Sequence, residues 1–480
     1  MEKLGEAGGV RIFNDAGDQS NTPSLETTPA SDAVAVSDIN EAKLLRKIDF
    51  RILPILCLVY LISFLDRANI SNALTLGLPE ELGLEGSQSN VALTIFFIPY
   101  IIFEIPSNLL LKRFTPRLWL SLCCITFGIV TIGQGFVQSY SGLLATRFLL
   151  GLAETGISPG GFYLISFWYN QEEAQKRFTA YWASTILAAA FGGLLSSAIA
   201  NLGGVRGLSS WRWVFILEGI VTVLVGVLAF FTISDFPREA SWLSKSEKEF
   251  VLKKTRSDEA HTVPVTFKDV KIFLSKPTSW LGAAMYFSLI VTSYSVVYFV
   301  PSIVKDFGYD TVQTQLHSVP PFAAAFAFAL ISAYLTDKLK LRSPFIFLAL
   351  ALIIIGLAIL LTVHGTKNFP TEYAAIVLVG AGSVGIGGHV VCWYVMNLQG
   401  HVERSIGSAW MVCFAGFAGI LATFTFMKKD SPYYRTGYSI NLATSSLCIV
   451  AHACYGLIIW RQKRAIARSG AKETGHTLYL

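Results

Sequence analysis

Apolar blocks about as long as a bilayer is thick recur along this chain, with short polar connections between them. They fall near residues 52–71, 90–111, 118–137, 142–165, 178–200, 211–232, 278–300, 316–336, 344–363, 372–396, 406–427 and 437–460. A helix crossing the hydrocarbon needs about 20 mostly apolar residues, so the pattern predicts about twelve transmembrane helices. Soluble cores are built instead from short periodic stripes.

One connection is unlike the others. From about Ser234 to Pro277 the chain is polar, and "WLSKSEKEFVLKKTR" has the spacing of an amphipathic helix lying on a membrane surface. It divides the blocks six and six. The expected organisation is a disordered cytoplasmic tail (1–48), a six-helix bundle (49–232), a central cytoplasmic loop (233–277), a second six-helix bundle (278–460) and a cytoplasmic tail (461–480). The expected fold class is an all-α polytopic membrane protein whose two bundles flank a midplane site.

Composition agrees with a bilayer. Of the 480 residues 53% are hydrophobic and 15% charged, against roughly a quarter charged in soluble domains. The net charge of +6 is no nucleic-acid footprint, because the bases sit in loops beside the spans. Lys43, Arg46, Lys47 and Arg51 precede the first block; Lys112, Arg113 and Arg117 follow the second, Lys176 and Arg177 the fourth, and Lys338, Lys340 and Arg342 the eighth. Arg461, Lys463, Arg464 and Arg468 follow the last, whereas the first connection holds Glu80, Glu81 and Glu85. Positive residues stay cytoplasmic, so both termini are expected inside; Lys428, Lys429 and Arg435 form the one contrary loop. Residues from Met1 to about Asn40 lack the basic start and apolar segment of a cleaved signal. The seven cysteines all fall within spans without metal-ligand spacing, so neither disulfides nor a metal is expected.

Charges inside the blocks carry the candidate chemistry. Intramembrane acids and bases are expensive and mark substrate or ion paths. At about 1.5 Å per residue, Asp66 lies about 22 Å beyond Arg51, with Arg67 beside it. Arg147, in the antiparallel fourth block, lies at similar depth. Glu154 follows Arg147 by seven residues, on the same helix face. Two acids and two bases of near-zero net charge can thus meet in the first bundle. A purely structural ion-pair cluster explains them poorly, since buried pairs are often no more stabilising than packed apolar residues.

Several stretches resemble one family. "KIDFRILPILCLVYLISFLDRANISNA", "FFIPYIIFEIPSNLLLKR", "RFLLGLAETGISPG", "WYNQEEAQKR" and "WRWVFILEGI" are similar to major facilitator superfamily transporters. Within that superfamily they resemble the anion:cation symporters, in particular the fungal allantoate permease subfamily. The second half matches more loosely, through "NLQGHVERSIGSAW" and the Asp337 loop. In the loop after the second block Leu111 stands where the superfamily motif has an acid. The resemblance implies that Asp66 and Glu154 couple protons, that Arg67 contacts an anionic substrate, and that Arg147 holds Asp66 when no proton is bound.

Other residues are weaker candidates. Glu104, Asn108 and Asp337 are expected at gating contacts. Tyr286, Tyr294, Tyr298, Trp393 and Asn397 fall on spans that line the path in this fold, and with Arg147 complete the expected substrate site. Glu218 is expected to pair with a nearby base, and His389 to be an interior residue. Gly416, in "FAGFAGI", stands where relatives often carry an asparagine that meets substrate, so the pocket is expected to be roomier and to suit a flatter or bulkier acid.

The spans offer no nucleophile–base pair, metal set or phosphate loop, which argues against an enzyme. The expected function is proton-coupled uptake of a small organic anion (a carboxylate, vitamin-like or ureido acid) across the plasma membrane, by a monomer without cofactors. Export of an organic anion or secondary metabolite, or a non-transporting nutrient receptor, are the alternatives.

Overall fold

Helices carry nearly all of the described chain, and no strand occurs among the described residues. The computed structural model describes residues 39–255, 266–339, 341–363, 369–398 and 400–469. The side chains of some helical residues, Asn108 and Asp337 among them, lie outside that description.

The apolar blocks become helices as follows. α1 is Glu41–Thr75; α2 is broken into Gln88–Thr94 and Phe97–Arg113; α3 is Pro116–Gln134; α4 is Tyr140–Trp168; α5 is Gln171–Ala200; α6 is Ser210–Thr232. α7 is Pro277–Asp306; α8 is broken into Thr311–His317 and Val319–Leu339; α9 is Ser343–Thr362; α10 is Phe369–Asn397; α11 is Gly400–Thr423; α12 is Arg435–Ser469. Among the described residues, 11 of these are long and apolar enough to cross a membrane. The described apolar stretch of α2, Gln88–Glu104, is shorter than these. Large apolar side chains such as Ile102, Leu224, Phe231 and Ile331 are exposed, the surface a lipid solvent favours.

Local signals fix the helix ends. Proline opens α3, α7 and α9 within their first turns, where its missing N–H is no loss. Asn170 and Glu173 form a reciprocal capping box at the start of α5. At 35 residues, α1 is about 52 Å long, far more than the roughly 30 Å of hydrocarbon. It begins at Glu41 rather than after residue 48, so the expected tail loses its last residues to helix.

Packing falls into two groups. α1 lies against α5 and α6, α3 against α4 and α6, and α2 against α4; α7 lies against α10, α11 and α12, and α9 and α8 against α10. The groups meet through α1 with α7, α2 with α11, and α5 with α8. The α3–α6 contact is glycine-mediated: a Cβ at Gly219 would sit 2.7 Å from the backbone nitrogen of Ile132, so the absent side chain lets the backbones touch.

The polar connection forms helices Lys245–Thr255 and Phe267–Ser275. The first is tied to the beginnings of α1 and α5: Lys254 pairs with both Glu41 and Glu173, and Lys47 with Glu247 at 2.8 Å. Nearby, Arg177 pairs with Asp49 at 2.6 Å, and Trp168 stacks on Trp242 with centroids 5.4 Å apart.

Candidate substrate and proton site

A narrow cavity of about 30 Å³ lies where the two helix groups meet, room for about two waters. Its wall is aromatic: Tyr60, Phe64, Tyr100, Trp182, Tyr286 and Tyr294, with Arg67 as its one charged lining residue among those described. α1 delivers Tyr60, Phe64 and Arg67 from one face, at spacings of four and three.

Arg67 is fully engaged on one edge. Its Nη2 donates to Glu154 Oε1 at 2.6 Å and its Nη1 to the Tyr294 hydroxyl at 2.7 Å. Its guanidinium lies 4.9 Å from the ring centroids of both Phe96 and Tyr100. The Ser63 hydroxyl also donates to Glu154 Oε1. An ion pair on α1 and α4 is thereby linked to a tyrosine on α7, and the Ser71 hydroxyl adds a second link to the Tyr298 carbonyl oxygen.

Asp66 turns elsewhere. Its Oδ2 accepts from Thr222 Oγ1 at 2.9 Å and from Thr131 Oγ1 at 3.4 Å, and its Oδ1 has no hydrogen-bond partner among the described residues. It therefore sits inside the contact of α1, α3 and α6. Glu218 lies one turn before Thr222 on α6, and Gln134 one turn after Thr131 on α3. Both are fully buried, and neither has a hydrogen-bond partner for its terminal atoms among the described residues.

The four charges do not converge as expected. Arg67 and Glu154 pair, but Arg147 makes no ion pair with Asp66 among the described residues. Its Nε donates to the Ala92 carbonyl at 3.4 Å and its guanidinium packs 5.5 Å from Phe96. Phe96, placed by the break in α2, stands next to both guanidinium groups. Arg147 does not line the cavity.

The remaining candidates divide. Tyr286 and Tyr294 line the cavity, and Tyr298 stacks on Tyr294 with centroids 5.5 Å apart, behind the wall. Trp393 and Asn397 do not line it: Trp393 packs on His452 and Tyr455 of α12, and the Asn397 amide donates to the Trp393 carbonyl at 3.0 Å. His389 is fully buried. Glu218 has no basic partner among the described residues, contrary to expectation. Gly416 faces Ile101 of α2, 2.4 Å from a Cβ built there, while its neighbour Ala415 lines the cavity. Glu104 is buried in the α2–α11 contact; the side chains of Asn108 and Asp337 lie outside those described.

Tyr60, Trp182 and Tyr100 went unnoticed in the sequence, as did Thr131, Gln134 and Thr222. Aromatic and hydroxyl residues are common in any span, and no spacing separates cavity walls from lipid-facing ones.

Residues 56–459 match the Major Facilitator Superfamily. The chain is 29% identical over 483 residues to the MFS transporter prlL of Fungal sp. (strain NRRL 50135), covering 98% of this chain and 95% of that protein. It is 29% identical over 427 residues to the high-affinity nicotinic acid transporter of Saccharomyces cerevisiae, covering 87% of this chain and 78% of that protein. Among solved structures, the proton:xylose symporter XylE bound to 6-bromo-6-deoxy-D-glucose superposes with a TM-score of 0.66 at 17% identity, covering 85% of this chain and 95% of that one.

Proposed function

The chain belongs to the Major Facilitator Superfamily, and we propose that it is a proton-coupled importer of a small, flat organic carboxylate. It is a membrane transporter and not an enzyme. Proton coupling, substrate class, plasma-membrane location, cytoplasmic termini, a monomeric state and membership of the anion:cation symporters belong to this proposal.

The observation that carries it is the Arg67 guanidinium, held at the cavity wall between Glu154 and Tyr294. A guanidinium presents a planar fork that matches a carboxylate. In this arrangement the Glu154 carboxylate occupies the place a substrate carboxylate would take. Protonating Glu154 frees Nη2 for the substrate, and releasing the substrate returns Arg67 to Glu154. One proton then moves with one anion. Asp66, held by two threonine hydroxyls beside Glu218, is a second proton acceptor outside the cavity.

The aromatic wall favours a flat acid. Offset stacking on rings such as Tyr286 and Tyr294 contributes about 0.5–1.5 kcal/mol per pair. The name of the Saccharomyces cerevisiae relative points the same way, since nicotinic acid is a flat heteroaromatic carboxylate. The cavity as it stands is too small for such an acid, so binding requires the helix groups to part.

Binding of nicotinate and of nicotinamide to the purified protein tests the reading. The two share a ring and differ in charge. Saturable binding of nicotinate, or of a related flat carboxylate, with none of the amide supports it; equal binding of acid and amide removes Arg67 from recognition.

A further inference from the structure

Glu104 is buried completely, and neither of its carboxyl oxygens has a hydrogen-bond partner among the described residues. It follows Phe97 by seven residues and Ile101 by three, so the three share one face of α2. That face is set tightly against α11: a Cβ at Gly419 would lie 2.3 Å from the Phe97 ring, and one at Gly416 would lie 2.4 Å from Ile101 Cγ1. Three residues further back along α11 stands Cys413, within electrostatic reach of Glu104. The ladder therefore reads Phe97 on Gly419, Ile101 on Gly416, and Glu104 beside Cys413. Glu104 is the acid in the seam where the two helix groups close, one turn beyond Tyr100 of the cavity wall.

Few groups stand ready to balance a charge there. Arg67 on α1 is a base within electrostatic reach, but its two terminal nitrogens are committed to Glu154 and Tyr294. Tyr100 precedes Glu104 on its own helix, and Tyr294 on α7 is within its electrostatic reach. α4, packed on another side of α2, carries Arg147 and Glu154. α3 meets α2 through the Trp119 indole, which donates to Ser107 at 3.2 Å. None of these donates a hydrogen bond to Glu104. A buried carboxylate without a single donor is strongly disfavoured, whereas a neutral carboxyl is tolerated.

We propose that Glu104 is a further proton-binding site of the transport cycle. It takes up one proton as the α2–α11 seam closes and returns that proton to water as the seam opens. The step balances as carboxylate plus proton giving carboxylic acid, with no other reactant. It rests on the transporter reading above but not on which substrate is carried.

The test is a seam distance measured without substrate. Spin labels at Arg113→Cys on α2 and Val402→Cys on α11, in the full chain with native cysteines replaced and reconstituted in lipid nanodiscs, report closure by electron–electron resonance. The short-distance population should fall as pH rises from about 5.5 to about 8, above the ordinary range of an exposed carboxylate. In Glu104→Gln, and in the apolar Glu104→Met if the amide variant folds poorly, that population should persist across the range. A pH response unchanged in both variants, or absent from the parent, overturns the proposal. Nicotinate binding on the same proteins reports the carboxylate reading separately, so failure of one is distinguishable from failure of the other.

Discussion

Asp66 and Arg67 are consecutive residues of α1 that serve different surroundings. Arg67 turns to the cavity and pairs with Glu154, while Asp66 turns into the contact of α1, α3 and α6, where Thr131 and Thr222 hold it. Side chains one residue apart on a helix point about a quarter-turn or more away from each other. One helix thus presents a guanidinium to the cavity and a carboxyl group to the bundle interior.

Replacing Arg67 by lysine keeps the charge and loses the fork. An ammonium cannot reproduce the planar geometry between Glu154 and Tyr294. Arg67→Lys is expected to weaken carboxylate binding at least about tenfold, or about 1.4 kcal/mol, with little change in thermal stability. Arg67→Ala also strands Glu154 in the interior, a loss of about 3–5 kcal/mol of stability. Calorimetric titration and thermal melting of the two variants separate these effects.

Glu154→Gln keeps the shape of the side chain and removes its charge. Exchange of labelled substrate across the membrane should survive, because binding and alternation remain. Accumulation driven by a pH gradient should vanish. Asp66→Asn should behave in the same way; counterflow and uptake by the same vesicles measure the two quantities side by side.

The way Gly416 packs replaces an expectation drawn from the sequence. It packs on Ile101, so Gly416→Ala should strain the α2–α11 seam by about 1–3 kcal/mol and leave the preference between two acids unchanged. Ile101→Ala in the same chain should recover part of the loss, because touching sites are not additive. Melting temperatures of the single and double variants, with the transport ratio of two acids, decide the matter.

Tyr286→Leu should preserve charge recognition and reduce selectivity for flat acids. Losing one ring–ring contact of about 0.5–1.5 kcal/mol predicts a few-fold to tenfold drop in the preference for nicotinate over an aliphatic acid. An unchanged preference would mean the ring wall does not meet the substrate.

The fold was largely legible in the sequence because length and hydropathy alone decide a transmembrane helix. The twelve apolar blocks correspond to α1 through α12, and only details such as the break in α2 and the early start of α1 escaped. The Arg67–Glu154 pair was also within reach, since charges in apolar spans are few and their depths can be counted. What the sequence could not supply was the rotation of each helix about its axis. Depth places Asp66 beside Arg147, yet rotation sends Asp66 to Thr222 and Arg147 to Ala92. The same ambiguity placed Trp393 and Asn397 on the path, although they pack towards α12, and placed Gly416 in the pocket rather than its neighbour Ala415.

Uptake into proteoliposomes tests the central claim most directly. A panel of labelled flat carboxylates, led by nicotinate, is offered to vesicles holding the wild-type chain or Arg67→Ala, with and without an inward proton gradient. The account predicts that at least one acid accumulates above its external concentration only when the gradient is present, collapses to equilibrium with a protonophore, and fails to accumulate in Arg67→Ala. Accumulation that is equal with and without the gradient, or equal in Arg67→Ala, would contradict it.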